Sequence, residues 1–406
     1  MQFGSHTVHL PLDTDGPLDP PTELAELRAQ CPVATAVLPS GDTGAYLTRY
    51  DDVRQLLLDD RFSRPTAQDD AARIAPDSGG GVAAGSGSSL AIPLRGPEHQ
   101  RWRRHLSKYF TAKRMQALRP SMTATAHSLI DRMTEQEQPA DLKAAFGFPL
   151  PVYVICALLG APAEDQERFS YWSDSFLNVT RYTREQTEAA HHDFITYMTA
   201  LCEEKRARPG DDLLSVLIAE STAEGQGMSD DELVATGIGL LVAGHETTAN
   251  MIVKMIAMLL SDRTRWESLL EERALIRPAV DEALRFDANL GNFGTRRYLS
   301  EETEIAGQTI AAGTTVFCNM SSANRDSSTF PAPDDMDLGR SPNPHLTFGA
   351  GPHSCLGQSL ARTELQVTLE TLLDRLPNLR LAVPVDQLQK VDGLSVGGLC
   401  TLPVAW

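Results

Sequence analysis

From Gly96 to about Lys390 the apolar positions recur every three or four residues, the period of helices that bury one face. The pattern breaks from Arg296 to Val316, where turn residues alternate with short apolar runs and predict strands. Ahead of it, the stretch from Pro20 to Arg64 predicts a capped helix, a short strand at Gly44–Tyr50 and a helix from Asp51 to Asp59. No repeat and no linker divides the chain. Residues 1–406 are therefore expected to form a single domain, mainly α with a smaller β-rich portion (α+β).

One helix dominates the pattern. Ser229-Asp-Asp-Glu232 reads as a capping box, with its acids at the positive end of the helix dipole. The apolar run continues to about Leu260, so the segment 229–260 makes roughly 32 residues, or about 48 Å at the standard rise. It is apolar nearly all round from Leu233 to Gly244 and then carries His245-Glu-Thr-Thr248. A buried central helix with a polar turn in its middle fits; an uninterrupted membrane span does not.

Composition narrows the partners. The chain has 36 Lys plus Arg against 54 Asp plus Glu, a net charge of −18, which opposes general binding to nucleic acid or to an anionic membrane. Hydrophobic residues make up 42% of the sequence, enough for a large core. The first residues, MQFGSHTVHLPLDTDG, contain no basic region and no apolar run, so a signal peptide and a membrane anchor are not expected and the cytoplasm is the expected location. Asp77–Ser89 is rich in glycine and serine without a following G-K-[ST], which reads as a flexible loop and not a phosphate cradle.

Six cysteines are scattered with no C-x-x-C pair; five of them, Cys31, Cys156, Cys202, Cys318 and Cys400, read as small buried hydrophobes. Cys355 stands apart. It lies in Phe348-Gly-Ala-Gly-Pro-His-Ser-Cys355-Leu-Gly357, just before a helical run, where backbone N–H groups and the helix dipole favour thiolate over thiol. Such a sulfur serves as a nucleophile or as a metal ligand. Glycines 349, 351 and 357 remove side chains, as an approach by a broad flat object such as a haem requires. A second constellation, Ala243-Gly-His-Glu-Thr247-Thr248, places an acid and a hydroxyl in the middle of the long helix, a locally costly choice where a bulge would admit water. Of three E-x-x-R pairs, Glu98/Arg101 and Glu203/Arg206 read as surface pairs. His191-His-Asp193 reads as part of a solvent-facing helix, since no second ligand pair accompanies it.

The cysteine segment resembles the haem-binding loop of the cytochrome P-450 family, with Phe, Gly, Gly, His, Cys and Gly at that family's spacing, and the order of motifs agrees over nearly the whole chain. The resemblance implies the P-450 fold, haem b with Cys355 as its axial thiolate ligand, His353 on a propionate and Phe348 shielding the sulfur, in a loop and helix at 346–365 that also bring Gly349 and Gly357 to the cofactor. It implies that Ala243 and its neighbouring glycine let dioxygen and substrate approach, while Glu246 and Thr247 relay protons. His99, Arg103 and Arg297 match further propionate contacts, although Arg95 stands where an acid is usual. Glu282, Arg285 and Arg340 match a buried structural triad, with Met336 where an aromatic is usual. By motif offset, Gly239, Val242, Ala243, Asn292 and Phe293 line the substrate pocket, 65–93 forms a lid, and Tyr171, Trp172 and Phe176 border the entrance.

The implied activity is monooxygenation, most simply hydroxylation, of a medium or bulky, largely apolar or aromatic secondary metabolite. Oxidative C–C or C–N coupling of aromatic substrates such as cyclic dipeptides is the alternative, and a haem-thiolate sensor or carrier is the reading outside that class. A cysteine hydrolase using Cys355 and His353 explains neither the glycines nor the long helix. Electrons would come from NAD(P)H indirectly, through a ferredoxin reductase and a ferredoxin docking near Arg101, Arg104, Lys108, Lys113 and Arg114, a basic cluster in an acidic chain. The protein is expected to act as a monomer.

Overall fold

The computed structural model describes residues 6–62, 64, 70–75, 92–224, 227–288, 290 and 293–406. Its helices are α1 (Glu23–Gln30), α2 (Tyr50–Leu58), α3 (Gly96–Ser107), α4 (Ala112–Thr134), α5 (Pro149–Leu159), α6 (Gln166–Phe176), α7 (Arg184–Ala207), α8 (Leu213–Glu224), α9 (Asp230–Leu260), α10 (Arg263–Glu271), α11 (Ile276–Phe286), α12 (Met320–Ala323) and α13 (Gln358–Arg375). The strands are β1 (Thr7–His9), β2 (Val33–Val37), β3 (Thr43–Leu47), β4 (Ala140–Asp141), β5 (Thr295–Tyr298), β6 (Thr303–Ile305), β7 (Gln308–Ile310), β8 (Thr315–Cys318), β9 (Arg380–Leu381) and β10 (Pro403–Ala405).

The predicted strand and helix near residue 50 appear as β3 and α2, and the break after Arg296 holds β5 to β8. The main sheet runs β1-β2-β3-β8-β5, so amino-terminal strands pair directly with strands from the far half of the chain. β3 and β8 are parallel, with Ala45 opposite Val316, whereas β5 and β8 are antiparallel, with Arg297 opposite Val316. Near the other end of the chain β10 lies between β4 and β9.

The long helix α9 spans 31 residues. Its start follows the capping-box logic: Ser229 Oγ accepts from the Glu232 N–H at 3.1 Å, and Glu232 Oε2 accepts from the Ser229 N–H at 3.0 Å. It packs against α5, α6, α7 and α13. Two glycines permit this closeness. A Cβ on Gly244 would lie 2.8 Å from Ile155 of α5, and one on Gly237 would lie 2.5 Å from the Met198 sulfur of α7. Among the described residues no helix is long and apolar enough to cross a membrane.

Candidate active site

The cysteine loop is closed by its own backbone. The Cys355 N–H donates to the Phe348 carbonyl at 2.7 Å and the Ser354 N–H to Gly351 at 3.1 Å, and α13 begins three residues after the cysteine. Gly349 and Gly351 take φ of +67° and +69°, which side-chain-bearing residues avoid. The glycines divide in role. A Cβ on Gly357 would meet nothing within 4 Å and one on Gly349 only the Ser354 Cα at 3.9 Å, whereas a Cβ on Gly351 would meet the Leu57 carbonyl of α2 at 2.6 Å, so Gly351 seats the loop on α2 and does not clear a ligand face.

Cys355 retains accessible surface on one side while protein encloses it on the others, and this burial pushes the thiol up. The Gly357 N–H, Arg103, Arg64 and Arg362 pull the other way without prevailing. The expectation that the loop alone favours thiolate is therefore corrected: desolvation outweighs the backbone and nearby cations. A bound metal ion would reverse that balance. Cys31, Cys156, Cys202 and Cys318 are buried as expected, but Cys400 is exposed and donates to the Lys390 carbonyl at 3.2 Å.

Around the loop, cations gather. His99 and Arg103 lie one turn apart on α3; the His99 ring stacks on His353 with centroids 4.4 Å apart, and Arg103 donates to the Ser354 carbonyl and, at 3.2 Å, to its hydroxyl. Arg297 on β5 is buried, with Nε lacking a hydrogen-bond partner and one terminal nitrogen donating to the Arg296 carbonyl at 3.0 Å. Arg64, which no motif marked, joins this group: burial and then the charges of Arg297, Arg103 and Arg296 push its guanidinium down to about 10, against the pull of Cys355. His353 is driven to about 3 by burial and by Arg297, Arg64, His99 and Arg103, and His99 is lowered by burial, Arg103 and Arg64. The guanidiniums of Arg64, Arg103, Arg296 and Arg297 repel one another, and an anionic ligand would relieve them. Together with a sulfur donor, two side-chain-free glycines and an orphaned buried guanidinium nitrogen, the residues fit a flat metallo-macrocycle bearing carboxylates.

Above this region α9 presents a narrow open stripe. Gly239, Leu240, Ala243, Gly244 and Thr247 keep accessible surface on a helix whose other residues beyond the first turn are buried. Their spacing puts them on one face. A Cβ on Gly239 would come within 2.7 Å of Ile92 Cδ1, so the end of the segment predicted as a lid reaches this stripe. Most of 65–93, and Asn292, lie outside the described residues. Val242 is 2% exposed, off the stripe, and Phe293 is 6% exposed, packed with Val8, Tyr46 and Phe317. Trp172 is buried and donates Nε1 to Asp193 at 3.0 Å, while Tyr171 is exposed. His191 packs on Phe176 with centroids 4.0 Å apart instead of facing solvent.

The polar turn of α9 is unbroken helix, without the bulge that would admit water, and Thr247 Oγ1 donates back to the Ala243 carbonyl at 2.8 Å. Glu246 is 5% exposed and its Oε1 accepts from Asn250 Nδ2 at 3.0 Å. Burial raises its carboxyl against the pull of Lys143, Asn250 and Arg181. Asp174 is raised by burial and by Glu246, and pairs with Arg181 at 3.0 Å. His245 is fully buried and held neutral, down to about 4, with Nδ1 2.7 Å from the Leu241 carbonyl; its 3.8 Å approach to Glu246 is accordingly no ion pair.

Behind the cysteine loop, Glu282 receives Arg285 through Nε at 2.8 Å and a second nitrogen at 2.7 Å, Arg340 Nε at 3.1 Å and Asn343 at 3.1 Å. Burial would raise this carboxyl, but the guanidiniums hold it below its ordinary value. The other two E-x-x-R spacings are not intrahelical pairs: Arg101 reaches Glu232 of α9, and Arg206 reaches Asp230. In the predicted docking cluster Lys108 pairs with Glu220, and Arg114 lies over the Tyr109 ring at 4.7 Å. Arg104 and Lys113 are exposed and have no ion-pair partner among the described residues.

A family model described as Cytochrome P450 matches residues 163–396. The chain is 41% identical over 385 residues to mycinamicin IV hydroxylase/epoxidase of Micromonospora griseorubida, covering 94% of each chain. It is 40% identical over 385 residues to nocardicin C N-oxygenase of Nocardia uniformis subsp. tsuyamanensis, again covering 94% of each. Among solved structures, the putative thioether synthase SgvP superposes with a TM-score of 0.91 at 34% identity, covering 99% of each chain.

Proposed function

The chain belongs to the cytochrome P450 monooxygenases, and on that premise we propose that it oxygenates a medium or bulky, largely apolar or aromatic secondary metabolite. The observation that carries this reading is the pairing of Cys355, ringed by cations, with the small-residue stripe of α9. Cys355 would hold haem iron; His99, Arg103, Arg297, His353 and Arg64 would receive its carboxylates. Thiolate-ligated haem supplies, when bound, reductive activation of dioxygen, sending one oxygen atom to substrate and one to water.

The protein's own residues then have separable tasks. Ala243 leaves room for substrate against α9, and Gly239 lets Ile92 close over the same stripe. Glu246, raised by burial, retains a proton to higher pH than an ordinary carboxyl, and Thr247, on the open stripe, is assigned the hydroxyl that delivers a proton to the reacting oxygen. Asp174 and Arg181 extend that polar connection outward, since the Arg181 side chain is 46% exposed. Phe348, partly buried against the core, would cover the sulfur. Electrons are assigned to a ferredoxin fed from NAD(P)H by its reductase, docking on the face that carries Arg104 and Lys113.

Relatives named as a hydroxylase/epoxidase and as an N-oxygenase support oxygen insertion as the reaction of this chain. The test is an optical titration of the haem-loaded ferric protein against macrolides, β-lactams and aromatic peptides. A low-spin to high-spin shift with one class identifies the substrate type, and oxygenated product from that class completes the assignment. Protein that takes up haem without a thiolate spectrum would overturn it.

A further inference from the structure

Three side chains behind the cysteine loop have no role in the reading above. Along 343–347, alternate residues turn toward α11, as in extended chain. Asn343 donates to Glu282, Thr347 Oγ1 donates to the Leu284 carbonyl at 2.6 Å, and between them His345 places Nε2 3.4 Å from Asp281 Oδ1. Arg362, on α13, donates Nε to the same carboxylate oxygen at 2.7 Å. Its guanidinium lies over the Phe348 ring, 4.5 Å from the centroid, and the His345 ring is 5.8 Å from that ring. Phe348 is thus flanked by a cation and an imidazole, both fastened to one carboxylate. Because the Phe348 carbonyl also receives the Cys355 N–H, the ring and the sulfur share one short stretch of backbone.

Exposure gives the cluster a direction. The His345 side chain is 1% exposed, whereas those of Asp281 and Arg362 are 29% and 31% exposed. One end sits beside the loop and the other meets solvent. Arg362 is also among the charges that favour a negative sulfur at Cys355.

We propose that Asp281, His345 and Arg362 form a positioning cluster that fixes Phe348 against Cys355 and sets the electrostatic potential at the sulfur from a solvent-reachable edge. This rests on Cys355 being the haem ligand. Reduction adds negative charge at the metal and sulfur, so a nearby cation eases it and a nearby anion opposes it. The two charged members therefore act in opposite senses.

The experiment is spectroelectrochemical titration of the haem-loaded protein and of Arg362→Gln, Arg362→Lys and Asp281→Asn. Arg362→Gln is expected to move the ferric/ferrous potential negative, Asp281→Asn to move it positive, and Arg362→Lys to restore the wild-type value while altering the ferric spectrum through loss of the planar stack. Loosened packing alone would not give shifts of opposite sign. Unchanged potentials in both charge variants, or shifts in one common direction, would overturn the proposal. Should Arg362→Gln fail to retain haem, Asp281→Asn decides alone: a positive shift supports the cluster and no shift overturns it. A wild-type protein lacking a haem-thiolate spectrum would overturn both this proposal and the assignment of Cys355.

Discussion

Glu246 and Thr247 are adjacent in sequence but differently committed, the acid buried beside Asn250 and the hydroxyl turned back on the helix. Thr247→Ala is expected to leave substrate-induced spectral shifts intact while most consumed NAD(P)H yields peroxide or water instead of product. Glu246→Gln is expected to slow turnover about 10²-fold, the low end for loss of a general acid, in single-turnover assays. Glu364 allows a cleaner test of burial. It is fully enclosed on α13, both oxygens lack partners, and desolvation raises it well above the ordinary range. The folded chain therefore keeps a proton that the unfolded chain releases above pH ~4.3, and stability falls by about 1.4 kcal/mol per pH unit from there up to the folded-state value. Glu364→Gln removes that dependence, so the stability of the variant relative to wild type should rise as pH climbs above the unfolded-state value, read in paired denaturant titrations; a constant gap would mean Glu364 is ionised in the fold. Cys355, Glu246 and Thr247 could be singled out as candidates from the sequence because each stands in a short local motif, a glycine-rich loop or one turn of the long helix. Arg64, Asp174 and Arg181 were not, because each acquires its charged company only when segments far apart in the chain fold together.

The helix α9 was legible from its capping box and its length, since both are local properties. Its open stripe was hidden from periodicity, which cannot separate a face that packs from a face left accessible inside an apolar run; only motif offset pointed to Gly239 and Ala243 within it. That distinction is testable. Ala243→Leu should leave thermal stability close to wild type, because the side chain enters open space, and should abolish the substrate-induced spin shift. The support behind the cysteine loop behaves oppositely. Glu282→Gln leaves Arg285 and Arg340 buried without their carboxylate, and a loss of about 3–5 kcal/mol is expected, read as a lower denaturant midpoint. The two incidental E-x-x-R spacings show why the motif alone could not identify that triad: Arg101 and Arg206 each found an acid on α9 or at its start, brought there by packing of other helices.

Across the whole molecule, a net charge of −18 leaves Arg104 and Lys113 as exposed positive points on an acidic protein. Arg104→Glu with Lys113→Glu should raise the KM for ferredoxin and flatten its salt dependence, with reduction by dithionite unchanged. The mainly helical architecture was visible in the period of the apolar positions, but the sheet order was not, because strand pairing between distant segments leaves no mark on local pattern. That pairing reaches back to how the chain is made. β3 offers its free edge to β8, which leaves the ribosome far later; at about 5–20 residues per second the wait is on the order of tens of seconds. During synthesis the nascent β2–β3 hairpin therefore carries an unsatisfied edge, and a chaperone that shields short apolar strands has a defined interval in which to act.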